Sequence, residues 1–275
     1  MTETSAQTRS PHFNREATAS TYRDVHLPRV FAPWARVLLE IQPARPGETV
    51  LDVATGPGTV ARQAALQVGP SGRVVGVDVS AAMLGVGRSW PVESGAAAIE
   101  YVESSAMSMP LNTGTFDAAY CQQGLQHMSD PMQALAEIFR LLKPGGRVAI
   151  AIWQQSPFGP FREAVARLDL PTHGAQSSPF GRDPNELAES LRAAGFGNVN
   201  VQRREMESVL PGGVPEAIEL AMATSAGAGM TDLSEDQREA VKRALEAVIT
   251  PRVKDDGVHL QSVTNIATAS KASRQ

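Results

Sequence analysis

Two aspartates stand where apolar runs end in turns. Asp52 lies inside "VLDVATGPGTVAR", residues 50–62, and Asp78 closes "RVVGVD". Gly56 and Gly58 follow the first of them, on either side of Pro57. Glycine lets the backbone take positive φ and approach a ligand, and the start of the helix that follows offers unpaired amides to a polar group. Gly56, Gly58 and Ala61 satisfy the spacing G-x-G-x-x-A, and Asp78 lies about twenty residues further on. A carboxylate there can accept both hydroxyls of a ribose, so the pattern points to an adenosine-containing ligand. A dinucleotide and other adenosine cofactors both remain open at this point.

The remaining reactive side chains are few. Cys121 ends an apolar run with no basic neighbour in sequence, the setting of a small core thiol rather than a nucleophile. The five histidines stand far apart, and no His, Cys or carboxylate spacing resembles a metal site, so metal-independent chemistry is expected. His127 carries an imidazole, whose ordinary pKa near 6.5 would let it take a proton from a hydroxyl. It also reads as a helix-edge residue, because "SDPMQALAEIF" follows with Ser129 or Asp130 as cap and Pro131 in the first turn.

The elements that must carry these residues alternate. Apolar runs at 49–54, 73–78, 99–103, 115–121 and 147–153 read as strands, with helical patterns at 58–68, 80–89 and 130–142. That alternation predicts an α/β fold with a mostly parallel sheet flanked by helices. Val30, Phe31, Trp34, Val37, Leu38 and Ile41 recur at helical spacing before the first strand. Further on, a capped helix near 184–194 stops at Gly195 and a strand follows near 198–204. Residues 206–257 read as mainly helical, with Ser234 as a cap, and "GVHLQSVTNIAT" as a returning last strand.

The chain has 275 residues, 42% hydrophobic and 20% charged, enough to bury a sizeable core. Its formal net charge is −4 and no run of Lys or Arg exceeds the Arg203-Arg204 pair, which argues against nucleic acid as a partner. No stretch approaches the roughly 18 apolar residues of a membrane span. A single cysteine and an N-terminus without the layout of a signal peptide suggest a cytoplasmic protein. A homodimer is compatible with all of this.

Four motifs in order resemble the class I S-adenosylmethionine-dependent methyltransferases: "VLDVATGPG", "VVGVDVSAAML", "FDAAYCQQGLQHM" and "LLKPGGRVAI". The resemblance covers roughly residues 48–153 and continues more weakly to about 205. It implies a Rossmann-like seven-stranded sheet, S-adenosylmethionine as cofactor and S-adenosylhomocysteine as product. Asp52, Thr55, Gly56 and Gly58 would line the amino-acid end of the cofactor, Asp78 would hold its ribose, and Val79 or Met83 would pack on the adenine. Ser105, beside Ala106, stands where the family usually has an acidic residue, so any bond there lacks charge assistance. Gln122 and its successors through His127, then Trp153, would border the methyl group after the fourth and fifth strands. Gln126, His127 and Trp153 are thereby candidate acceptor contacts, with His127 the candidate base. Tyr22 and His26 belong to an arm that in similar enzymes folds over the cofactor, and Phe13 and Tyr22 could join Trp34 and Trp153 at an apolar mouth.

On this reading residues 1–275 form a single domain. Residues 1–15 would be disordered, 16–45 would form an N-terminal helical arm and 46–153 the cofactor-binding core. Residues 154–183 and 206–257 would make a mainly helical lid. Phe158, Phe161, Leu168, Leu170 and Phe180 in that cover favour a small, partly apolar acceptor. Overall the chain is nearest to the methyltransferases of ubiquinone and menaquinone and to relatives acting on small natural products. Two alternatives stand beside this: an NAD(P)-dependent oxidoreductase, from the glycine spacing and Asp78, and a non-catalytic ligand-binding relative, from Ser105.

Overall fold

The computed structural model describes residues 22–168, 178–222 and 233–273, with the backbone alone for residues 22–26 and for Val165. Phe13, Leu170 and the expected disordered 1–15 lie outside the described residues, as do the side chains of Tyr22 and His26.

Five strands run parallel: β1 (Thr49–Val53), β2 (Arg73–Asp78), β3 (Ile99–Glu103), β4 (Phe116–Gln122) and β5 (Leu142–Gln155). Then β8 (Gly257–Ser270) enters antiparallel between β5 and β6 (Gly197–Leu210), giving the order β3-β2-β1-β4-β5-β8-β6. The two-residue β7 (Val253–Lys254) pairs beside β8 and makes the sheet eight-stranded, one more than the expected seven. From β1 the chain order runs one way to β2 and β3 and the other way to β4 and β5. Ligands of open α/β sheets sit at such a reversal, outside the carboxyl ends of the strands.

Both faces of the sheet are covered, which is why the strands read as nearly continuous apolar runs. Val50, Ala118, Tyr120, Ala149 and Trp153 face one layer, with helices α1 (Ala32–Ile41), α2 (Thr59–Val68), α5 (Gly159–Ala166), α7 (Gly213–Met222) and α8 (Glu235–Ile249). Leu51, Val53, Ala119, Cys121, Ile150 and Ile152 face the other, with α4 (Pro131–Leu141) and α6 (Pro184–Ala193). Helix α3 (Ala81–Ser89) follows β2 and contributes a small separate cluster of Met83 and Val86.

Local signals account for the helix ends. Asp130 accepts a hydrogen bond from Gln133 N at 2.9 Å to start α4, and Ser234 and Gln237 form a reciprocal capping box at α8. Gly195, at φ +99°, ends α6 as its position suggested. The N-terminal arm is helical from Tyr22, but Tyr22–Phe31 is wound as a π-helix with Pro28 inside it. Proline cannot donate to the α-helical ladder. The regular helix restarts at Ala32, with Pro33 in the first turn, where the missing N–H costs little.

The last strands are longer than their sequence pattern. β6 runs to Leu210, six residues past the expected end, because each residue through Leu210 finds a partner on β8 down to Val258. Residues 206–210 are therefore strand, and the helical part of the cover begins at α7.

Candidate functional site

At the carboxyl end of β1 the chain turns through three left-handed residues: Ala54 (φ 56°), Gly56 (φ 55°) and Gly58 (φ 91°). A Cβ added at Gly56 would meet nothing within 4 Å, so this backbone faces open space. A Cβ at Gly58 would stand 2.2 Å from the Tyr101 hydroxyl oxygen, so that glycine is required by packing as well as by φ. Gly58 caps α2, whose first turn then points its amides at the same space.

Two carboxylates hold this turn. Asp52 is buried, and its Oδ2 accepts hydrogen bonds from Thr55 Oγ1 at 2.6 Å and Ala61 N at 2.9 Å. Burial pushes its carboxyl up to about 7, against those two bonds, and the negative charge of Asp78 adds to the rise. Asp78 is half-buried; its Oδ2 accepts Gly56 N at 2.8 Å and its Oδ1 accepts Ser80 N at 2.9 Å. Burial raises its carboxyl too, opposed by these backbone donors. A carboxylate offers about four lone-pair sites, and with Ser80, Gly56 and Val79 N–H drawing on Asp78 about one remains for a ribose hydroxyl.

Phe31, Asp52, Ala54, Thr55, Gly56, Val60 and Gln122, with Pro57 and Thr59, line one open pocket. Gln122 at the tip of β4 donates from Nε2 to the Phe31 carbonyl at 2.9 Å, tying the arm to the sheet. Its Oε1 is buried without a hydrogen-bond partner among the described residues. The backbone then turns at Gln123 (φ 56°), whose Nε2 donates to Thr264 Oγ1 on β8 at 3.3 Å.

Asp52, Thr55, Gly56 and Gln122 line this pocket; Asp78 adjoins it through its bond to Gly56 N, and Gly58 follows two residues on in the same turn. Val79 is half-buried beside Asp78, and Met83 is buried in the small α3 cluster, with its N–H donating to the Ser80 cap. Ser105 accepts from Met107 N at 3.2 Å, which uses one of its two lone pairs, and Ala106 packs at the edge of the second core layer. Gln126 is buried and its Oε1 accepts Trp153 N at 3.3 Å, so it locks the tip of β5. His127 is half-buried in a short 3₁₀ turn after Gly124.

Trp153 is 7% exposed and meets Phe31 and Trp34 edge-on, with ring centroids 6.4 and 5.7 Å away. Trp34 is fully buried and donates to Ser262 Oγ, so it backs this wall as a core residue. Phe31 is the pocket residue that sequence reading assigned only to a helix face, because its role depends on the long-range bond from Gln122. Cys121 is a buried thiol pushed up to about 12 by burial, which removes it as a nucleophile. Among the described residues no group of three His, Cys, Asp or Glu side chains could hold a metal, and no helix is long and apolar enough to cross a membrane.

Residues 23–167 match the model of the ubiE/COQ5 methyltransferase family. The chain is 33% identical over 163 residues to the ubiquinone/menaquinone biosynthesis C-methyltransferase UbiE of Enterobacter sp. (strain 638), covering 58% of this chain and 65% of that protein. It is 34% identical to the demethylmenaquinone methyltransferase of Renibacterium salmoninarum, again over 58% of this chain and 65% of the relative. The match thus spans just under two thirds of these relatives' length. Among solved structures, the [4+2]-cyclase SpnF superposes with a TM-score of 0.56 at 24% identity, covering 88% of this chain and 82% of that one. That likeness shows the fold alone.

Proposed function

The chain belongs to the ubiE/COQ5 methyltransferase family, and from that premise we propose that it transfers a methyl group from S-adenosylmethionine to a small, largely apolar acceptor of the quinol type. The observation that carries this reading is the turn held between Asp52 and Asp78, which opens on the pocket beside a Gln122 Oε1 that has no hydrogen-bond partner among the described residues. The donor set suits such a cofactor. Gly56 leaves space for it, the Asp78 carboxylate suits a ribose hydroxyl, and Asp52 with Gln122 Oε1 suits an ammonium group.

Bound there, the cofactor supplies an electrophilic methyl on a cationic sulfur. The chain's own task is alignment, which can account for roughly 7–11 kcal/mol of a two-reactant barrier. Thr55, Gly56 and Gly58 seat the amino-acid end, while Val79 and Met83 border the adenine and Ser105 and Ala106 its edge. Phe31 and Trp153 form an aromatic wall that excludes water and attracts a sulfonium by about 0.5–2 kcal/mol. Gln126 fixes Trp153, and His127 takes a proton from an acceptor hydroxyl. The quinol-type acceptor is supported by the ubiquinone and menaquinone enzymes to which the chain is similar. A cytoplasmic location agrees with the single buried cysteine.

Calorimetric titration with S-adenosylmethionine, S-adenosylhomocysteine and NAD tests the cofactor. Binding of the first two alone is expected. Asp78→Ala should weaken both at least tenfold, about 1.4 kcal/mol. Binding of NAD alone would replace the proposal with the oxidoreductase reading. A protein that binds S-adenosylmethionine yet never methylates any quinol, phenol or acidic-carbon acceptor would be a ligand-binding relative; the fold also hosts a cyclase.

A further inference from the structure

Beyond the residues that line the pocket, Gln123 carries two features that work against stability. It follows the last residue of β4 and takes a left-handed φ of 56°, a region that a glutamine occupies only when its surroundings hold it there. Its side chain is buried, and its Oε1 has no hydrogen-bond partner among the described residues. Backbone strain and an orphaned buried acceptor both destabilise a fold. Such features concentrate where stability yields to function.

What holds Gln123 is a bridge across the strand tips. Its N–H donates to the Ala151 carbonyl on β5 at 2.8 Å, and its Nε2 reaches past β5 to Thr264 Oγ1 on β8 at 3.3 Å. Thr264 is fully buried and is the residue of β8 that pairs with Trp153. Three residues after Gln123, Gln126 Oε1 accepts Trp153 N at 3.3 Å. One glutamine thus holds Trp153 by its own backbone, and the other holds its cross-strand partner. The turn between them is fixed at two further points. A Cβ added at Gly124 would stand 2.6 Å from the Ala54 Cβ, so this turn packs directly on the glycine turn that follows β1. The Gln126 carbonyl accepts Ser178 N, in the cover, at 2.9 Å.

We infer that Gln123 is a positioning residue for methyl transfer: its bridge to Thr264 sets Trp153 in the aromatic wall at a fixed place relative to the glycine turn. The inference rests on the methyltransferase reading and names how that site keeps acceptor and cofactor aligned. Trp153 meets Phe31 and Trp34 edge-on, and Phe31 lines the pocket, so a shift of the β5 tip moves the wall. A misplacement of about 1 Å can cost about 10²-fold in rate. Gln123 does not itself line the pocket, so loss of its bridge should leave cofactor affinity in place.

The test measures S-adenosylhomocysteine formation by the full-length protein from S-adenosylmethionine and 1,4-dihydroxynaphthalene kept reduced, with cofactor affinity from calorimetry. Gln123→Gly accepts the left-handed φ, and Thr264→Val keeps the shape of the side chain without its hydroxyl. Each should lower kcat about tenfold or more, while KM and Kd for S-adenosylmethionine stay within about twofold of the parent. Thr264→Ser keeps the Oγ acceptor and should retain most of the turnover. The double variant of Gln123→Gly with Thr264→Val should lose no more than either alone, because both remove the same bridge. Undiminished kcat in either single variant, losses that multiply in the double variant, or a parallel loss of cofactor affinity overturns the positioning role and leaves the methyltransferase reading intact. A parent protein that binds S-adenosylmethionine but does not methylate the quinol counts against the proposed reaction and against this inference with it.

Discussion

Asp52→Asn separates the two consequences of placing a carboxylate under the glycine turn. The carboxyl is buried and its pKa stands at about 7 instead of the ordinary 3.8. Between those values the folded protein holds a proton that the unfolded chain has released, so stability falls as pH rises, by about 1.4 kcal/mol per pH unit. The full loss is about 4 kcal/mol once pH passes the folded value. Asparagine keeps the shape and the acceptor oxygen for Thr55 and Ala61 but does not titrate. Urea unfolding of both proteins without ligand at a series of pH values from 5 to 8 should therefore show the variant gaining on the parent by about 2–3 kcal/mol as pH rises. Raised Asp78 contributes to both curves and largely cancels in the difference. The functional side runs the other way. A cationic cofactor meets a charge on Asp52 only in the parent, so its affinity for S-adenosylmethionine should rise through pH 7 with release of a proton, and the variant should bind at least tenfold more weakly, about 1.4 kcal/mol. Parallel stability curves for the two proteins across this range would refute the argument, because they would mean that Asp52 ionises as an ordinary carboxylate.

Three further outcomes follow from the same geometry. Gly58→Ala puts a Cβ 2.2 Å from the Tyr101 hydroxyl at a left-handed φ of 91°; thermal unfolding should show a loss of at least about 1–3 kcal/mol, and adding Tyr101→Phe should recover only the steric part. Gln122→Ala removes the bond to the Phe31 carbonyl, a net contribution of about 0.5–1.5 kcal/mol, together with the buried amide oxygen. S-adenosylmethionine affinity should fall, and hydrogen exchange at residues 27–31 should quicken; unchanged exchange would mean that the arm is held by packing alone. His259 on β8 is bracketed by Asp256 at 2.7 Å and Glu207 at 2.9 Å, which raise its pKa despite Lys254 nearby. The stabilisation of the β7–β8 turn should be fully present below pH 6.5 and disappear as pH rises through the folded value. Proton NMR of the imidazole would contradict this with a midpoint at or below 6.5.

Much of the site was legible because its signals are local. Positive φ at Gly56 and Gly58, the acidic ends of β1 and β2, the Asp130 and Ser234 caps and the Gly195 stop each depend on a few neighbouring residues, and the motif order around them identified the fold. The long-range part was not. Whether β6 continues through "QRREMESVL" depended on β8 as a partner, since a polar, largely exposed edge strand carries little apolar periodicity and its hydrogen bonds come from residues about sixty positions away. Phe31 became a pocket residue through Gln122, 91 positions distant, and Gln123 met Thr264 across 141. Sequence also could not tell that Asp52 would lose its water, because desolvation is a property of the packed chain. Local backbone preference and residue order therefore determined the cofactor turn; burial and distant contacts alone decided what closes over it.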